Sequence, residues 1–238
     1  MKTGIIVAMD KELEQLRKVF AESDVVVEKC GIGKVNAALG AAEMIRRHRP
    51  DVIISSGCAG GNGDGINVQD IVVGAEVCYH DVYCGTAIDN TTVYGQVQGM
   101  PARYKADPYL LRKSEELRSK IRRQQEKLTN SEDLPNTQHP SSIILHPGLI
   151  VTGDWFVDSK EKMRSIIEKF PEAIAVDMES AAIAQACHIY NVPFISFRVV
   201  SDIPLRDTDA SQYHNFWENI AENSFHVTRT FVEMIRED

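Results

Sequence analysis

The chain lacks most of the features that mark specialised classes of protein. Only five of its 238 residues are cysteine (Cys30, Cys58, Cys78, Cys84 and Cys187), scattered with no CxxC pair and no Cys/His ligand spacing. That pattern supports neither a disulfide framework nor a zinc site, and it fits reduced thiols in a cytoplasmic protein. Positive charge is also short, with 26 Lys and Arg against 34 Asp and Glu for a formal net charge of −8. Nucleic acids and anionic membranes are bound through basic faces, so neither is expected as a partner. The basic cluster from Arg112 to Lys127 is interleaved with Glu115, Glu116 and Glu126 and reads as a solvated helix face. No apolar run approaches a membrane span, and Gly4 to Met9 is too short for a secretory signal before Asp10-Lys11-Glu12. There is no GxGxxG leading into a clear helix and no GxSxG, and Val35 follows Gly33-Lys34 where a Walker motif needs Ser or Thr. No nucleotide cofactor and no metal are expected.

What remains is an ordinary globular composition, 43% hydrophobic and 25% charged, long enough to fold as one domain over residues 1–238. Short apolar runs, Gly4–Ala8, Val25–Val27, Asp51–Ser55, Ile143–Thr152, the run that gives out before Asp177, and Pro193–Val200, read as buried strands, and Asp70–Tyr79 is a β-rich segment. Thr91–Val97 is a further candidate strand. Between them, apolar residues recur at helical spacing over Asp10–Phe20, Lys34–Arg47, Asp107–Leu128, Lys160–Lys169, Met178–Tyr190 and Ser211–Arg236. The alternation predicts an α/β fold with a central mixed sheet flanked by helices. Residues 129–142 are the one stretch that reads as a long polar loop.

Three stretches carry candidate chemistry. Gly57-Cys58-Ala59-Gly60-Gly61-Asn62-Gly63-Asp64-Gly65 reads as a glycine loop, either a plain turn or a backbone contact for a ligand. Glu12 follows the end of the first strand, where it is either a solvated charge or a residue of a strand-end pocket. The third stretch runs from Glu172 to Asp202. Ligands of open α/β sheets bind beyond the carboxyl ends of strands, and Asp177, Glu179 and Asp202 all stand at such ends. Asp177 suits a helix N-cap. Glu179 lies in a small and apolar segment, and Asp202 either faces the pocket or pairs with Arg198. His80-Asp81 and His188 read as structural without a nucleophile motif. Phe216, Trp217, Phe225, Phe231 and Met234 face the core by spacing, and Tyr213 less clearly so.

These residues, taken in order, resemble the 5′-methylthioadenosine/S-adenosylhomocysteine nucleosidases of the nucleoside phosphorylase superfamily. The resemblance runs nearly end to end. It rests on Gly4-Ile5-Ile6-x-Ala8-Met9-x-x-Glu12, Gly31-Ile32-Gly33-Lys34-Val35, Gly57-x-Ala59-Gly60-Gly61 and Tyr79-His80-Asp81. It continues through Gly148-Leu149-Ile150-Val151-x-Gly153-Asp154-x-Phe156, Ala175-Val176-x-Met178-Glu179 and Arg198-x-x-Ser201-Asp202. The resemblance implies Asp202 as general acid to N7 of adenine, Glu12 as activator of the attacking water, and Glu179 as acceptor for the ribose hydroxyls. It also implies that Met178 packs on the sugar, that Phe156 and Val157 hold the base, and that Cys58, Ala59 and Gly60 lie beside the ribose. Arg198 and Ser201 then support the catalytic end, Ala8, Met9 and Ile32 line the pocket, and Tyr213 is the aromatic lid. A homodimer is implied as well, together with release of adenine from 5′-thio-substituted adenosines.

A phosphorylase needs arginines for a dianion, and Ala8-Met9-Asp10 with Glu12 offers none, so water is the expected nucleophile. Phosphate-dependent cleavage, another purine nucleoside, and a non-enzymatic nucleoside-binding module are the alternatives. The sequence departs from the family in a shorter stretch between Val27 and Gly31, in Cys84-Gly85-Thr86-Ala87-Ile88 without the usual phenylalanine, in Gln98-Gly99 for Pro-Gly, and in the long 129–142 loop.

Overall fold

A computed structural model of the chain describes residues 1–21, 23–63, 65–85, 90–129, 143–206, 211–219 and 223–237. The 130–142 part of the expected loop and Thr86–Ile88 lie outside the described residues. Among the described residues, eight strands form one mixed sheet: β1 (Thr3–Val7), β2 (Val26–Lys29), β3 (Val52–Gly61), β4 (Ile71–Tyr79), β5 (Tyr104–Lys105), β6 (Leu145–Thr152), β7 (Ala173–Asp177) and β8 (Phe194–Asp202). β1 runs parallel to β2 and β3, and β3 runs parallel to β8. β8 is antiparallel to β4, which is parallel to β6, which is parallel to β7. β7 returns antiparallel to the end of β3 at Gly60 and Gly61, so the path β3–β8–β4–β6–β7 closes on itself.

Successive side chains point to opposite faces of a strand, and here both faces are buried. Ile5, Val7, Val52, Ile54, Ile195, Phe197 and Val199 pack into one cluster, which also holds Leu16, Leu110, Phe225 and Phe231. Ile6, Ile53, Phe194 and Val200 pack into another, with Ala37, Ala41, Met44 and Ala181. The first cluster is covered by α1 (Asp10–Val19), α3 (Pro108–Thr129), α6 (Ser211–Asn219) and α7 (Asn223–Arg236), the second by α2 (Lys34–His48) and α5 (Ser180–Tyr190). A smaller cluster of Val151, Met163, Ile166 and Phe170 sits under α4 (Lys160–Lys169). No helix among the described residues is long and apolar enough to cross a membrane.

Several expectations change. Gly57 to Gly61 are not a loop but the last residues of β3, paired to both β8 and β7. Thr91–Val97 forms no strand. It turns at Gly95, whose φ of 88° belongs to the left-handed region and whose Cβ would stand 2.4 Å from the Tyr79 carbonyl oxygen. The expected closing helix is helical over α6 and α7, with residues 220–222 outside the described residues, and the two-residue β5 was missed. Helix α1 takes Met9 rather than Asp10 as its N-cap, and Asp10 instead pairs with Lys29 at 2.7 Å. Phe216, Phe225 and Phe231 are buried as expected, with Trp217 and Met234 packed half-buried beside them.

Candidate active site

Parallel strands β1, β3 and β8 release their carboxyl ends at the same edge, and this edge collects the candidate carboxylates. Beneath it lies Arg198 on β8, 1% exposed. A charge that deep must be paired and hydrogen-bonded. Its Nε sits 2.9 Å from Asp177 Oδ2 and donates to Ser180 Oγ at 3.1 Å, and its Nη2 donates to Ser55 Oγ at 2.7 Å. Its Nη1 lies 3.6 Å from Glu179 Oε2. Arg198 therefore directs its charge at Asp177 and Glu179, and the expected alternative of an Arg198–Asp202 pair gives way to that arrangement.

Asp177 is structural. It accepts from Thr152 Oγ1 at 2.6 Å, from Ser180 Oγ, and from the Ser180 backbone N–H at 3.2 Å. The cap position itself belongs to Glu179, and helix α5 starts at Ser180 rather than Met178. Glu179 Oε1 accepts from the Gly33 N–H at 3.1 Å, which ties it to the start of α2. Burial pushes its carboxyl up to about 7, against the lowering effect of Arg198.

Glu12 is not a solvated helix residue. It is 1% exposed, its Oε2 accepts from the N–H groups of Ala8 (2.9 Å) and Met9 (3.0 Å), and its Oε1 accepts from Cys58 N–H at 2.9 Å. Burial raises its pKa, while the Arg198 charge and these three donors oppose the shift. Gly57 makes the approach possible, because a Cβ there would stand 2.6 Å from both Arg198 Nη1 and Glu12 Oε1. Neighbouring Cys58 has its thiol pushed well above the ordinary value by burial and by Glu12, which disfavours a thiolate nucleophile.

Asp202 ends β8 and is 8% exposed. Ser201 Oγ lies 2.6 Å from Asp202 Oδ1 and 3.3 Å from the Ala59 carbonyl. One hydroxyl proton cannot serve both acceptors at once. A proton carried by Asp202 would let both bonds exist together.

Glu12, Glu179 and Asp202 open onto one cleft of about 620 Å³, mouth included. Ala8, Met9, Ile32, Cys58, Ala59, Gly60, Phe156, Val157, Met178, Ser201 and Tyr213 line it, and of the candidate set Arg198 alone lies below the lining. Phe156 meets Tyr213 edge to face, with ring centroids 5.2 Å apart, and Tyr213 Oη is 3.6 Å from Met9 Sδ. Asp177, read as structural, also reaches the lining, and two further lining residues were missed. Trp155 is 44% exposed, an indole that no periodic pattern singles out, and Val176 looked like plain strand interior. A wider groove of about 1900 Å³ lies elsewhere, around Tyr104 and His188. Its Arg103 is already paired with Glu76 and Glu172, and none of the converging carboxylates reaches it. His80 lines neither; it is buried against Trp155, behind the cleft wall.

A walled cleft with three buried carboxyl groups suits acid–base chemistry on a small, partly apolar ligand, and known proteins share the frame. The Phosphorylase superfamily model matches residues 18–233. A 5′-methylthioadenosine/S-adenosylhomocysteine nucleosidase of Geobacillus sp. (strain WCH70) is 36% identical, covering 99% of this chain and all of the relative. One from Anoxybacillus flavithermus is also 36% identical over 98% of each chain. Among solved structures, the nucleosidase of Colwellia psychrerythraea 34H in complex with adenine superposes with a TM-score of 0.81 at 32% identity, covering 98% of this chain and 95% of that one. The S. pneumoniae nucleosidase with a transition-state inhibitor gives 0.80 at 31% identity, covering 99% and 100%. The chain belongs to the phosphorylase superfamily and, within it, to the 5′-methylthioadenosine/S-adenosylhomocysteine nucleosidases.

Proposed function

We propose that residues 1–238 act as one domain, a purine nucleoside N-ribohydrolase that releases adenine from methylthioadenosine and S-adenosylhomocysteine. The observation that carries the reading is the convergence of Glu12, Glu179 and Asp202 on one cleft with apolar walls. The full-length likeness to nucleosidases, one of them holding adenine, supports the choice of base.

In this reading the base lies against Phe156 and Val157, and Met178 packs on the sugar. Glu179, held by Gly33 N–H and Arg198, accepts from the ribose hydroxyls. The bond between C1′ and N9 breaks with its electron pair leaving on adenine, and Asp202 gives its proton to N7. A water adds its oxygen to C1′ and gives its proton to Glu12, whose raised pKa suits a base working near neutrality. One water is consumed, and solvent returns the proton from Glu12 to Asp202. Glu12 is fixed by three N–H donors, so little reorganisation accompanies the proton transfer.

Water is favoured over phosphate because Arg198, the one arginine beneath the cleft, is already matched by two carboxylates, and Glu12 would repel a dianion. Release of free adenine from methylthioadenosine, in preference to inosine, is the expected result of a base-release assay. Absence of turnover with every purine nucleoside would instead favour the binding module.

We also read the chain as a cytoplasmic homodimer. Ile32, Val35 and Leu39 are 50%, 70% and 65% exposed at and after the start of α2, beside the cleft mouth. An apolar row of this kind suits a second copy. Sedimentation at twice the 26.6 kDa chain mass is expected, and a monomer at micromolar concentration would contradict it.

A further inference from the structure

Helix α2 has Gly33 at its N-cap, a residue with no side chain to serve there, and no acidic residue lies in its first turn. Its first N–H groups are nevertheless matched by carboxylates from distant parts of the chain. Gly33 N–H donates to Glu179 Oε1 at 3.1 Å, and Lys34 N–H donates to Asp154 Oδ1 at 2.8 Å. The positive end of a helix favours negative charge at both places. The Lys34 side chain then folds back across the same join. Its Nζ donates to both Asp81 oxygens, at 2.8 and 2.7 Å, and lies 3.6 Å from Asp154 Oδ2. Asp154 N–H donates in turn to Asp81 Oδ2 at 2.9 Å, which closes a ring of three charged residues.

The ring has little slack. Asp81 and Lys34 are 9% and 22% exposed in their side chains, and the ammonium lies 5.6 Å from the Tyr79 ring centroid. A Cβ on Gly33 would stand 2.9 Å from Asp154 Oδ1, and one on Gly153 would stand 2.4 Å from the His80 ring. The two glycines let the segment after β6 close onto α2. That segment continues as Trp155, Phe156 and Val157, the base wall of the cleft, while α2 meets Glu179 on the sugar side.

The geometry points to Lys34, Asp81 and Asp154 as a clip that fixes the base wall relative to the ribose carboxylate. They are positioning residues: none of them lines the cleft. The inference rests on the nucleosidase reading for what the clip positions. A loosened wall removes binding shared by ground and transition states, so it acts on KM more than on kcat.

The test uses the full-length chain with Asp154→Ala, Asp154→Asn, Lys34→Met and Phe156→Ala. Asp154 is half exposed, so truncating it leaves the core intact. Asp154→Ala and Lys34→Met are each expected to raise KM for methylthioadenosine about tenfold with kcat within about threefold, the scale of one lost charge-assisted hydrogen bond. Asp154→Asn keeps the acceptor for Lys34 N–H and is expected to retain most of the affinity. In the Phe156→Ala background, Asp154→Ala should add little, because the clip acts through that wall. In the ligand-free protein, the 153–157 amides should exchange faster in Asp154→Ala than in wild type. Unchanged KM, fully additive penalties or unchanged exchange would each overturn the clip. A wild type that turns over no nucleoside would sink the functional reading alone, and exchange would still judge the clip.

Discussion

Asp202→Asn is expected to lower turnover of methylthioadenosine by about two to four orders of magnitude, the usual scale for general acid catalysis. The change is nearly isosteric. Asn keeps an oxygen for the Ser201 hydroxyl, now 2.6 Å from Asp202 Oδ1, and it stays at the end of β8 facing the cleft. What it loses is a transferable proton. An amide can donate a hydrogen bond to N7 of adenine but cannot neutralise the electron pair left by the broken bond. The loss should therefore fall on kcat, with KM and the thermal unfolding midpoint close to wild type. Steady-state kinetics beside a melting curve separate the two effects. Full activity in the variant would remove Asp202 from the chemistry.

The second large effect is on stability. Arg198→Leu leaves Asp177 and Glu179 without their shared cation in a site where the arginine is 1% exposed. Removing one partner of a buried ion pair costs about 3–5 kcal/mol, because the remaining charge is stranded. Here two carboxylates are stranded, and Ser55 and Ser180 lose their donors as well. Against a total stability of about 5–15 kcal/mol, that is enough to bring many domains to the edge of unfolding. Urea titration should show a much lower midpoint with little change in slope. Arg198→Lys should fall between, since it restores the charge without the fork. A loss below about 1 kcal/mol in Arg198→Leu would contradict the network, as it is the scale of a surface pair.

The frame of this molecule was legible because parallel strands buried on both faces leave uninterrupted apolar runs, and helices leave a 3.6-residue period. Strand β8 and helix α5 could be read almost to their ends. Glycine density misled at Gly57–Gly61. Those glycines are in β3 because the strand runs beside Arg198, Glu12 and β7 where side chains have no room, and that crowding is invisible in one dimension. Glu12 looked like one more surface glutamate; the backbone donors at Ala8, Met9 and Cys58 that bury it come from the residue just past β1, its own helix cap and β3.

The site residues were reached through ordered motifs shared with a family rather than through spacing alone. The structure gathers nearly all of them around one cleft. Asp177 and Glu179 both reach the cleft lining, but Asp177 is held by Arg198, Thr152 and the start of α5, whereas Glu179 is held by Gly33 N–H and Arg198. Lys34 and Asp154 were quoted within those motifs without a role. Their partnership spans 120 residues, and no local pattern records a contact at that distance.

The central claim is that water, placed by Glu12, is the nucleophile. Its most direct test is adenine release from methylthioadenosine by phosphate-free enzyme, repeated with millimolar phosphate. The account predicts the same rate in both and free 5-methylthioribose as the sugar product. Strict dependence on phosphate, with a sugar 1-phosphate formed, would contradict it.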